Sequence, residues 1–145
     1  MKNSLFFWFV VGSGLLWALT RELICWKRLR KYWSRSCMGR EWRRRFPDSP
    51  KEDIRAFLEA FVDGFCFSSR RRLKFGPADK VMDIYGALYP PGSLADSMEL
   101  GCFAMNLERA YGEDFSDRFT PDTTLGDIFE MVRDKGDRSE TSSVK

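Results

Sequence analysis

The sequence predicts an all-α protein: a small four-helix bundle preceded by a single transmembrane helix and a basic juxtamembrane helix. Three observations carry this expectation. Apolar residues recur at three- and four-residue spacing in four stretches, and nowhere does the two-residue alternation of a strand appear. The first twenty residues hold an uncharged run of 18, Asn3 to Thr20. A chain of 145 residues can bury one modest core but not two sizeable ones.

The N-terminal run SLFFWFVVGSGLLWALT is the first element. A spanning helix needs about 20 apolar residues, with a range of roughly 17–25. A cleaved signal peptide is the rival reading. The run passes from Trp17-Ala18-Leu19-Thr20 straight into charge, without a small-x-small cleavage site, which favours an uncleaved anchor. Only Lys2 precedes the run, whereas ten Lys/Arg lie between Arg21 and Pro47 against Glu22 and Glu41, a net of +8. The positive-inside rule then places the rest of the chain in the cytoplasm.

That basic stretch interleaves Trp26, Tyr32, Trp33, Trp42 and Phe46 with its cations. Aromatics settle at headgroup level, and each Lys or Arg near an anionic surface is worth about 1 kcal/mol. Trp26, Lys27, Arg28, Arg30, Lys31 and Trp33 are therefore the candidate membrane-interface residues. Nucleic acid is the competing partner for such a composition, and adjacency to the span favours lipid. From Gly76 to Asp134 the balance reverses, twelve acids against four bases, a net of −8. The two regions are expected to have different partners.

Four helices follow. Ser49, Pro50 and Glu52 read as a helix start, and Ile54, Phe57, Leu58, Phe61, Val62 and Phe65 form one apolar face. Gly64 and the run SSRRR close it. A second helix is predicted over 77–89, with Val81, Ile84, Tyr85 and Leu88 on one face, stopped by Pro90-Pro91-Gly92. The third runs from about Leu94 to Tyr111 and ends at Gly112; Met98, Cys102, Met105 and Phe103 are expected to face inward. The last is TLGDIFEMVRD, opened by a Thr124–Asp127 capping box and striped by Leu125, Ile128, Phe129 and Val132. The tail after it is expected to be disordered.

The chain contains no histidine, so no Ser–His or Cys–His nucleophile can form within it. Its four cysteines, Cys25, Cys37, Cys66 and Cys102, have no zinc-ligand spacing, and free thiols are expected. No catalytic residue and no metal ligand is assigned.

One polar residue stands apart. Ser97 follows Asp96 at the head of the third helix, where either residue could serve only as an N-cap. The surrounding motifs point further. Asp96-Ser97-Met98 is followed by Leu107-Glu108, Tyr111-Gly112 and Thr123-Thr124-Leu125-Gly126-Asp127-Ile128. In this order and spacing, Asp96 to Val132 resembles acyl carrier proteins. Those are small acidic four-helix bundles with 4′-phosphopantetheine on a serine at the start of the second major helix. The stretch departs from that pattern in the added helix at 77–89 and in Cys102, where the family often has an acid.

The resemblance implies an acyl-carrier-like bundle in which Ser97, with Asp96, holds the phosphopantetheine. It implies a phosphopantetheinyl transferase and acyl- or lipid-processing enzymes as partners, with Glu99, Glu108, Glu113 and Asp114 docking on basic patches. The expected organisation is a transmembrane signal anchor (1–20), a basic aromatic juxtamembrane segment (21–47), an acyl-carrier-like helical domain (48–135) and a disordered tail (136–145). The expected function is a membrane-anchored carrier, not an enzyme, that presents an acyl group at the cytoplasmic face. The alternative is a carrier-fold module that lacks the cofactor and tethers or regulates a membrane complex.

Overall fold

The computed structural model describes residues 27–89, 97–112 and 114–142. In chain order these form α1 (27–33), α2 (Gly39–Arg45), α3 (Lys51–Gly64), a 3-10 segment η1 (Ser69–Lys74), α4 (Val81–Leu88), α5 (Met98–Tyr111), a second 3-10 segment η2 (Ser116–Arg118) and α6 (Leu125–Ser142). No strand occurs among the described residues; β-type pairing there is limited to a bridge between Lys80 and Thr124. None of the described helices is long and apolar enough to cross a membrane. The run Asn3 to Thr20, read above as an anchor, lies outside the described residues.

α3 is the centre of the core. Ile54, Phe57, Leu58, Phe61, Val62 and Phe65 are all buried, as their spacing predicts. Burying one such side chain is worth about 1.5–3 kcal/mol. Their rings interlock with those of other elements: Phe61 meets Phe75 edge-on at 4.9 Å and Phe103 at 5.2 Å. The start of α3 differs from expectation. Pro50 occupies the N-cap position without a side-chain cap, and the Ser49 hydroxyl oxygen is buried without a hydrogen-bond partner. The end is a Schellman motif: Phe67 N–H donates to Val62 C=O at 2.7 Å and Cys66 N–H to Asp63 C=O at 3.0 Å, with Cys66 left-handed at φ 53°. Gly64 has another use. A Cβ there would stand 2.7 Å from the backbone of Phe103, so this glycine lets α3 and α5 touch main chain to main chain.

That contact sets the rotation of α5. Phe103, Ala104 and Leu107 are buried, while Met98 and Met105 are 63% and 58% exposed and Cys102 is exposed. Phe103 faces inward as expected, whereas the inward placement of Met98, Cys102 and Met105 is corrected. The real stripe is Leu100, Phe103, Leu107 and Tyr111, the equally regular alternative. α5 ends as expected at Gly112, left-handed at φ 77°.

The basic stretch is also corrected. Leu29, Tyr32, Trp42 and Phe46 are buried in the same core as α3, α5 and α6. Trp42 donates its indole N–H to Phe75 C=O at 2.9 Å and packs edge-on to Phe129 at 5.6 Å. Tyr32, Trp42 and Phe46 are therefore core residues, not headgroup-level aromatics, and the core extends across the boundary drawn at residue 47. The physical reason is periodicity. Leu29, Tyr32 and Trp33, then Trp42 and Phe46, sit at helical spacing, while the long arginines keep their charged heads outside.

The two oppositely charged regions turn out to be partners of each other in part. Arg35 binds both carboxylate oxygens of Asp79 at 2.7 Å, and Arg45 pairs with Asp127 at 2.6 Å.

α4 and α6 start side by side. Val81 N–H donates to Thr123 C=O, Leu125 N–H to Asp79 C=O and Gly126 N–H to Pro77 C=O, all within 3.1 Å. A Cβ on Gly126 would meet the Pro77 carbonyl oxygen at 2.7 Å and the Arg45 guanidinium at 2.6 Å, so this position admits only glycine. The Thr124–Asp127 capping box forms as predicted: Thr124 N–H donates to Asp127 Oδ2 at 2.9 Å and Asp127 N–H to Thr124 Oγ1 at 3.2 Å. Leu125, Ile128, Phe129 and Val132 are buried. α6 then continues to Ser142, through most of the segment expected to be disordered.

Candidate functional site at the head of α5

Ser97 sits at the N-cap position of α5 and is exposed. Its backbone is left-handed, φ 59° and ψ 14°, one of two non-glycine residues with positive φ among the described residues. An N-cap residue normally takes the extended region, from which its side chain reaches back to the first turn. Ser97 does not: its hydroxyl makes no cap hydrogen bond. The reading of Ser97 as a side-chain cap is therefore corrected. A non-glycine residue in such a conformation is strained by about 1–3 kcal/mol and needs outside support.

The support comes from α4. The Ser97 N–H donates to Tyr85 Oη at 3.1 Å, and the Ser97 carbonyl accepts the Gly101 N–H at 2.9 Å, the first bond of the helix. Tyr85 packs at a tilt against Tyr89, ring centroids 5.1 Å apart, and the Tyr89 hydroxyl hydrogen-bonds to Glu99 Oε1. Two tyrosines four apart, one in the last turn of α4 and one at its C-cap, thus clamp the first turn of the next helix. The sequence reading missed Tyr89 and placed Tyr85 only on an apolar face. The available signal was their i, i+4 spacing just ahead of Pro90-Pro91-Gly92.

The expected docking acids differ in their exposure among the described residues. Glu99 turns inward to Tyr89, and its second carboxylate oxygen is buried without a partner. Glu108 is exposed on α5. Asp114 is exposed too and accepts hydrogen bonds from the Ser116 hydroxyl and N–H, which hold its carboxyl below the usual carboxylate range. Asp96 and Glu113 lie outside the described residues.

Of the expected membrane-interface residues, Lys27, Arg28, Arg30 and Lys31 are exposed on α1, and Trp26 lies outside the described residues. Trp33 is half-buried: it meets Phe67 and Phe75 edge-on, and the Arg71 guanidinium lies 4.3 Å from its ring centroid. Cys37, Cys66 and Cys102 are free, exposed thiols. No group of three or more His, Cys, Asp or Glu side chains gathers among the described residues as a metal site would need.

Chemically, the head of α5 offers one accessible hydroxyl on a positioned backbone. Among the described residues no acid or base is hydrogen-bonded to that hydroxyl. Comparison with protein-family models, with curated proteins and with solved structures finds no match for this chain.

Proposed function

We propose that this protein is a carrier that presents a group attached at Ser97 to partner enzymes, next to a membrane that its N-terminal apolar run enters. One observation carries the reading. Ser97 is exposed and left-handed, its N–H is held by Tyr85, and its hydroxyl is left unengaged at the start of a 14-residue helix. A helix N-terminus suits the phosphodiester of a phosphopantetheine arm, because its N–H dipoles favour an anion. That arm supplies a thiol for thioesters. This chain supplies the hydroxyl, its orientation, and an exposed surface around Glu108 and Asp114 for basic partner enzymes.

The test uses the full chain, since Leu29, Tyr32 and Trp42 belong to the core. The protein in neutral detergent is incubated with coenzyme A and a promiscuous phosphopantetheinyl transferase. The expected result is a mass gain of one phosphopantetheine, abolished in Ser97→Ala and slowed in Tyr85→Phe. No gain with several transferases would sink the carrier reading.

A second reading is favoured by a separate observation: Cys102 and the 58%-exposed Met105 lie on the outer face of α5. In this reading the domain docks a protein partner without a cofactor. Met105→Glu then abolishes cellular function and Ser97→Ala leaves it intact.

A further inference from the structure

α2, α3 and η1 line an open concavity of about 380 Å³ on the side of the core lined by Trp42. Its chemistry is lopsided. Arg40 and Arg43, three apart on α2, and Lys51 and Arg55, four apart on α3, line it with four cations, and none of its lining residues is acidic. The basic residues of the two helices each share a face at those spacings. Ile54 and Leu73 supply an apolar wall.

All four of these cations are exposed. Elsewhere Arg35, Arg45, Arg72 and Lys80, each partly exposed, have carboxylate partners at 3.0 Å or less. Arg40, Arg43, Lys51 and Arg55 have none among the described residues. Four like charges around one concavity repel one another, and an anion in the cavity would relieve that repulsion. The volume falls in the range of small-molecule sites, roughly 300–1,000 Å³. Guanidinium groups match phosphate oxygens two at a time.

We propose that this cavity binds a phosphate-bearing ligand, with the phosphate held by Arg40, Arg43, Lys51 and Arg55 and its organic portion against Ile54 and Leu73. The site is distinct from Ser97 and stands whether or not Ser97 is modified. Its phosphate can come from a lipid headgroup or from a soluble organic phosphate.

The experiment is calorimetric titration of the full chain in neutral detergent. Three probes are used: inorganic pyrophosphate, short-chain phosphatidylglycerol and short-chain phosphatidylcholine. The expected result is saturable binding of at least one of the first two, weakened at least tenfold in Arg43→Gln/Arg55→Gln. The comparison variant Arg70→Gln/Arg109→Gln, which removes two exposed charges elsewhere, should change affinity less than twofold. Tighter binding of pyrophosphate assigns a soluble phosphate, and tighter binding of phosphatidylglycerol assigns a headgroup. Three results would overturn the proposal: no saturable binding of either anion, phosphatidylcholine binding as tight as phosphatidylglycerol, or equal losses in the two double variants. Circular dichroism of each variant confirms the helical fold before titration.

Discussion

Replacing Gly64 with alanine sets two effects against each other. Within a helix, alanine is favoured over glycine by about 1 kcal/mol. At Gly64, however, the new methyl would lie 2.7 Å from both Cα and N of Phe103 and 2.9 Å from its Cβ. Carbon atoms pack at about 3.5–4.0 Å, so the shortfall is about 1 Å. The opposing atoms are mostly backbone and cannot swing aside; α3 and α5 must separate instead. Overpacking of this kind costs about 1–3 kcal/mol, and a rigid neighbour places it in the upper half. The net expectation is a loss of about 1–2 kcal/mol.

Gly101 on α5 provides the comparison, because a Cβ there meets nothing within 4 Å. Gly101→Ala should stabilise by about 0.4–1 kcal/mol through helix propensity and reduced freedom of the unfolded chain. For a chain of this size, 1 kcal/mol moves Tm by about 3 °C. Thermal unfolding of the full chain in one detergent, followed by far-UV circular dichroism, should therefore separate the variants by about 4–9 °C. A Gly64→Ala protein as stable as Gly101→Ala would refute the reasoning, since α3 and α5 would then not meet at the backbone.

Other perturbations test other parts of the fold. Trp42→Ala should cost about 3–5 kcal/mol in denaturant unfolding, as a large buried side chain is lost and the Phe75 carbonyl loses its donor; a loss below about 1 kcal/mol would return this tryptophan to the surface. Cys66→Gly should raise stability by about 1 kcal/mol, because Cys66 is left-handed at the Schellman position that glycine occupies without strain; a lower denaturation midpoint would contradict this. Burial pushes the Asp127 carboxyl up, but the Thr124 N–H and side chain and the Arg45 guanidinium outweigh it and leave it below the usual range. The stability it contributes is complete above the unfolded carboxylate pKa of about 3.9 and is lost as pH falls through the folded value. Asp127→Asn should accordingly flatten the acid limb of a stability–pH profile, and an unchanged limb would rule the linkage out. Thr124→Ala should lower stability by about 1 kcal/mol at neutral pH, as for other caps, when measured by the same unfolding assay.

The faces of α3 and α6 were legible because each offers one unbroken apolar stripe. The capping box of α6 was legible because both of its partners lie within four residues. α5 was misread in part, at Met98, Cys102 and Met105 but not at Phe103, for the converse reason. It carries two regular stripes, Met98–Cys102–Met105 and Leu100–Phe103–Leu107–Tyr111, and its own sequence does not rank them. The choice is made by α3, whose Gly64 admits the Phe103 backbone and no other face.

Tyr32, Trp42 and Phe46 of the basic stretch were misread because charge density was weighed above period. The same arginines that suggest a lipid surface are, at Arg35 and Arg45, bound to Asp79 and Asp127, 44 and 82 residues further along the chain. Of the candidate site, the sequence supplied Ser97 and its position at a helix start. It did not supply the left-handed backbone or the Tyr85 and Tyr89 clamp, which depend on how α4 approaches α5.

By itself, then, the sequence determined the helical class, the strong apolar faces, the capping box of α6 and the uncharged run at the N-terminus. All of these rest on interactions between residues a few positions apart. Tertiary structure alone decided which stripe of α5 is buried, that residues 27–46 share the core, which cations are neutralised, and which four are left around an open cavity. Those outcomes depend on contacts between distant segments. The glycines at 64 and 126 show why: each is fixed by the backbone that must pass beside it, and nothing in its own neighbourhood names that backbone.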